Sequence, residues 1–80
     1  MLLVLMYILN KGEKMKVEIL LKEVRLKKNI SLRELEKKSG ISKSHLNAIE
    51  LQEKEPTISI LIRIAKALDV QIEELCEVKW

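Results

Sequence analysis

The stretch SLRELEKKSGISKSHLNAIE, Ser31 to Glu50, restricts the fold more than any other part of the chain. It carries two helical patterns separated by Ser39-Gly40-Ile41-Ser42. Ser31 is a suitable N-cap, and Glu34 three residues on predicts a capping box. Gly40 stands where a helix ends in a left-handed residue, and Ser42 is placed to cap a further helix. Two short helices joined by so tight a break cannot lie in one line. Leu35, Leu46 and Ile49 supply the apolar faces that lock them at an angle, with Ile41 plugging the turn. The second helix then shows Lys43, Ser44, His45 and Asn47 to water.

Helical patterns flank this pair. From Val17 onward Val17, Leu20, Leu21 and Val24 recur at i, i+3, i+4 and i+7, which predicts a helix from Val17. Lys27-Lys28-Asn29 closes it, with cations at the negative end of the helix dipole. Leu51-Gln52-Glu53-Lys54-Glu55 reads as a loop. Pro56 stops any continuation, and Thr57 can cap the next helix. Leu61, Ile64, Ala65 and Leu68 form the stripe of that helix, and Ile58, Ile60 and Ile62 widen it, so it belongs in the centre. Asp69-Val70 makes a short turn, and Ile72, Leu75 and Cys76 mark a final short helix. No β-hairpin signal or internal repeat is present. The expected fold is all-α: five short helices, with a helix-turn-helix at helices 2 and 3.

Eighty residues suit one domain. Aromatics make up only 2% of the chain, so the core must be aliphatic. A domain this small has little stability in reserve, and a partner chain can contribute. Residues 16–54 hold ten Lys/Arg against six acids, a net +4, whereas residues 55–80 hold three against five, a net −2. A basic half beside a mildly acidic one suits a polyanion on one face. Charge alone fits a solvated helical surface equally well.

The single cysteine, Cys76, excludes an internal disulfide and points to a reducing cytoplasm. Its place on an apolar stripe favours core packing over redox chemistry. One histidine and one distant cysteine make no metal site. Met1 to Leu9, MLLVLMYIL, is too short to span a bilayer, which needs about 20 apolar residues. It lacks the basic region and cleavage site of a secretory signal. Residues 1–15 are therefore either an apolar arm, packing on the body or across a dimer, or a translated leader. The leader reading comes from Lys11-Gly12-Glu13-Lys14-Met15, whose codons can spell a ribosome-binding site before a start at Met15. The domain proper is residues 16–80.

With this order of elements in view, the stretch from Leu20 to Glu77 resembles the phage-repressor-like helix-turn-helix domains of the Xre or Cro-repressor family. The resemblance rests on Ser31-Leu32-Arg33-Glu34-Leu35, Gly40-Ile41-Ser42, Leu46 with Ile49-Glu50, Pro56-Thr57, Ile64-Ala65-Lys66-Ala67-Leu68 and Ile72-Glu73-Glu74-Leu75. It implies a compact lambda-repressor-like fold and double-stranded DNA as partner. The recognition helix runs from Ser42 to about Glu50. Lys43, Ser44 and Asn47 fall where the family commonly meets base edges, with His45 and Ala48 on the same side. Lysine can donate to guanine, asparagine can pair with adenine, and alanine can touch a thymine methyl. Lys27, Lys28, Arg33 and Ser42 are the expected phosphate contacts, which position the domain without reading sequence.

Three positions depart from the family pattern. Leu32 stands where a phosphate-gripping glutamine is usual. Glu36 stands where a small residue lets the helices approach, and is expected to turn outward or to pair with Lys43. The loop Leu51–Glu55 is acidic where a basic, glycine-containing loop is common.

The resemblance implies a transcriptional repressor, in the cytoplasm and associated with the nucleoid, binding a palindromic operator as a homodimer. Apolar residues at Met1–Leu9, Ile60, Ile62, Val78 and Trp80 offer material for the dimer. The alternative is a protein-interaction module, antitoxin-like or anti-repressor, on the same scaffold with weak DNA affinity. Leu32 and Leu51 would then mark the partner surface. No nucleophile–base pairing or phosphate loop points to an enzyme. No cofactor, small-molecule ligand or membrane association is expected.

Overall fold

The computed structural model describes residues 16–79, together with Leu2, Val4 and Leu5, which are helical. Strand β1 (Lys16–Ile19) leads into α1 (Leu21–Lys27), α2 (Leu32–Ser39), α3 (Lys43–Glu50) and α4 (Ile58–Leu68). A 3-10 turn (Ile72–Glu74) and strand β2 (Cys76–Lys79) follow. The expected arm or leader at residues 1–15 falls largely outside the described residues.

The domain is mostly helical, as expected, but both of its ends depart from five helices. The first helix starts at Leu21, and Val17 lies in β1 instead. The last expected helix is only the 3-10 turn, with Cys76 opening β2. The strands pair antiparallel, Lys16 opposite Lys79, Val17 opposite Val78 and Ile19 opposite Cys76. Both read polar–apolar in alternation, Lys-Val-Glu-Ile and Cys-Glu-Val-Lys, the period of a half-buried strand. Like charges face each other in this register, which is unfavourable. Lys79 offsets it: its Nζ lies 3.2 Å from the Glu18 carboxylate on the diagonal and 3.7 Å from that of Glu77 on its own strand.

Helix boundaries follow local chemistry. Ser31, Ser42 and Thr57 accept bonds from the backbone N–H groups of Glu34, His45 and Ile60, satisfying donors that each first turn leaves unpaired. Left-handed residues stop the helices: Asn29 at φ 56° after α1, Gly40 at 74° after α2, and Asp69 at 57° after α4.

The core is aliphatic. Leu21, Leu35, Leu46, Ile49, Leu61, Ile64, Leu68 and Leu75 are fully buried, and Ile41 plugs the turn between α2 and α3. All four stripe residues of α4 are buried, so that helix is central. Of its widening residues, Ile58 and Ile60 are half-buried and Ile62 is exposed.

Cys76 packs in this core. Burial, with the nearby Glu73 charge second, pushes its thiol up to about 11. At pH 8 its alkylation in the native protein is expected to be on the order of 100-fold slower than in urea, where the thiol returns to its ordinary range. Stopped-flow thiol titration checks this. Equal rates would mean the strand pairing opens freely.

Candidate nucleic-acid interface

The turn between α2 and α3 is held from three sides. Ser39 is buried, and its hydroxyl accepts from the Ile41 N–H at 3.1 Å. Its carbonyl accepts from Arg63 Nε at 3.2 Å and Nη2 at 2.9 Å, so α4 caps the end of α2. Gly40 suits this position on two counts. Its φ of 74° disfavours a side chain, and a Cβ there would stand 2.8 Å from Arg63 Nη2.

A buried ion pair fixes the far end of α3. Arg25 donates to Glu50 through Nε at 2.6 Å and Nη2 at 3.2 Å, while Nη1 donates to the Ile30 carbonyl at 2.9 Å. The side chains are only 11% and 4% exposed. Arg25 lies one turn after Leu21 on the buried face of α1, where a charge needs a partner. The loop beyond α3 is tied down as well. Gln52, at φ 61°, donates its side-chain amide to the Ile19 carbonyl at 2.8 Å. Its amide oxygen accepts from the Ile19 N–H at 3.4 Å. Arg25, Gln52 and Arg63 are structural residues that the sequence reading did not single out.

Held this way, α3 presents a polar flank. Ser42, Lys43, Ser44 and Asn47 are exposed, whereas His45 and Ala48 are half-buried. A shallow groove of about 510 Å³ runs along this flank, lined by Leu32, Glu36, Ser42, Lys43, Ser44 and Asn47. A neighbouring concavity is lined by Arg25, Ser31, Leu32, Arg33 and Lys43, which brings Arg33 and Lys43 to one surface. Lys27 and Lys28 are exposed at the end of α1 and line neither hollow.

The departures from the family pattern take definite places. Leu32 is half-buried and packs against the core. Glu36 accepts from the backbone N–H of Lys43 at 2.9 Å rather than from its ammonium. The carboxylate thereby faces the positive end of the α3 dipole, which offsets the lysine in that first turn. Leu51 is exposed, as is the rest of its loop.

A short helix set on a glycine turn, braced at both ends and open on one polar flank, is the arrangement of a helix-turn-helix DNA reader. The chain belongs to the Xre-type helix-turn-helix family of DNA-binding transcription regulators, whose model matches residues 21–75. Among solved structures it is similar to the restriction-modification controller protein C.AhdI from Aeromonas hydrophila. That match is 28% identical with a TM-score of 0.65, over 68% of this chain and 82% of that one. It is also similar to SinR, the master regulator for biofilm formation, crystallised in complex with DNA. There the identity is 37% and the TM-score 0.63, over 66% of this chain and 86% of that one. A comparison with curated proteins gave no match. Among the described residues no helix is long and apolar enough to cross a membrane.

Proposed function

We propose that the protein is a sequence-specific repressor that binds a palindromic operator as a homodimer, in the cytoplasm and at the nucleoid. The exposed flank of α3 carries this reading. Lys43, Ser44 and Asn47 meet base edges in the major groove, with His45 and Ala48 at the margin of the contact. Lys27, Lys28, Arg33 and Ser42 hold the phosphates on either side. A two-fold arrangement sets two α3 helices about 34 Å apart, one duplex turn. Residues 16–80 form the reading unit, with residues 1–15 outside it as an apolar arm or a translated leader. The SinR complex supports the reading, since that neighbour was solved on DNA.

Asn47→Ala is expected to lose about 1–3 kcal/mol of discrimination at one base pair of each half-site, and Lys43→Ala at another. Fluorescence anisotropy on the preferred duplex and on its single-base variants measures this. Unchanged preferences in both variants would show that the flank reads nothing.

A second reading, a protein-interaction module, draws on Leu51, which is 57% exposed at the end of α3. It predicts DNA binding too weak to depend on these side chains.

A further inference from the structure

Glu36 is the one carboxylate among the residues lining the groove on the flank of α3. Its neighbours there are a cation (Lys43), two hydroxyls (Ser42, Ser44) and one amide (Asn47). Oε2 is engaged by the Lys43 N–H, and this bond fixes the carboxylate at the front of α3 rather than leaving it on a free rotor. Glu36 is half-buried, and the apolar side chain of Leu32 shares the groove with it. Among the described residues no other protein group bonds the carboxylate, so Oε1 remains to accept.

An ionised carboxylate only accepts hydrogen bonds. Phosphate oxygens only accept as well, so Glu36 repels the backbone and cannot serve as a phosphate contact. The donors in the major groove are the exocyclic amino groups, N4 of cytosine and N6 of adenine. Reversing such a base pair swaps the amino group for a carbonyl oxygen and sets two acceptors face to face. That mismatch penalises the wrong sequence more than the match rewards the right one.

We infer that Glu36 is a specificity-determining residue, whose carboxylate accepts from an exocyclic amino group of the base pair beneath the N-terminal end of α3. The inference rests on the DNA-binding reading above. It also gives the departure from a small residue a purpose: the side chain braces α3 through one oxygen and reads through the other.

The test is selection from a randomised duplex library by the full chain, followed by sequencing of the bound fraction, for wild type, Glu36→Gln and Glu36→Ala. The wild type is expected to prefer an amino-bearing base at one half-site position by about tenfold. Glu36→Ala loses that preference and keeps the others. Glu36→Gln keeps one oxygen for the Lys43 N–H and turns an amino group, a donor, toward the bases. The preference for an amino-bearing base is then lost or reversed toward a base that presents an acceptor, guanine or thymine. Circular dichroism establishes that both variants are folded. A selective wild type whose folded Glu36→Ala variant shows the same profile at every position overturns the role of Glu36 alone. A wild type that selects no sequence overturns the DNA-binding reading, and this inference with it.

Discussion

Glu50→Ala is expected to destabilise the domain by about 3–5 kcal/mol, the cost of leaving one partner of a buried ion pair uncompensated. The Arg25 guanidinium would keep only the Ile30 carbonyl, with almost no route to water. For a chain of this length that is much of the total stability, and the melting temperature should fall by more than about 10 °C. The pair need not be net stabilising in itself. Arg25→Met with Glu50→Leu, apolar at both positions, should recover most of the loss, because the desolvation cost disappears with the charges. Urea denaturation of the two variants and the wild type separates these contributions. A loss below about 1 kcal/mol in Glu50→Ala would mean that water reaches Arg25 and the brace on α3 is loose.

DNA affinity is expected to fall on the order of 10³-fold between 50 and 200 mM salt, since counterions are released wherever a cation neutralises a phosphate. Lys27, Lys28 and Arg33 are exposed, and as the proposed phosphate contacts they would supply three cations per protomer, six in the proposed two-fold complex. The slope of log K against log salt is then about −5. Arg33→Ala removes two of the six. It should make the slope shallower by about two and weaken every duplex alike, preferred or not. Asn47→Ala acts in the opposite sense, sparing the slope and altering preference. Anisotropy titrations at four salt concentrations measure both. A slope shallower than about −2 in the wild type favours the protein-interaction module.

The parts legible in the sequence depend on near neighbours. Ser31, Ser42 and Thr57 cap their helices because an N-cap needs only a hydroxyl and the next turn's N–H. Gly40 ends α2 because the left-handed turn excludes most side chains. Leu35, Leu46 and Ile49 were readable as inward-facing from their spacing alone.

The strands were not legible, although their alternation is present in both segments. Val17 and Ile19 run into Leu20, Leu21 and Val24, and over so short a window a period of two cannot be told from one of 3.6. What selects the strand is a partner some sixty residues away, Cys76–Lys79, which no local pattern announces. Arg25 shows the converse. Its spacing places it on the buried face of α1, where a charge is tolerated only if a carboxylate meets it, and Glu50 does so from another helix. Glu36 illustrates the same limit within the interface: an outward turn or a bond to the lysine ammonium was expected, and the bond found is to the backbone.

By itself, then, the order of residues determined the limits of α2, α3 and α4, the aliphatic core and the exposure of Lys43, Ser44 and Asn47 on α3, because caps, turns and periodicity act within about one turn of chain. Only tertiary structure decided the strand pairing, the Arg25–Glu50 brace, the docking of Gln52 on Ile19 and of Arg63 on Ser39, and the post taken by Glu36. Apart from Glu36, whose partner Lys43 is near in sequence, each of these joins polar groups distant along the chain, and the penalty for burying such a group unpaired arises only once folding has removed the water.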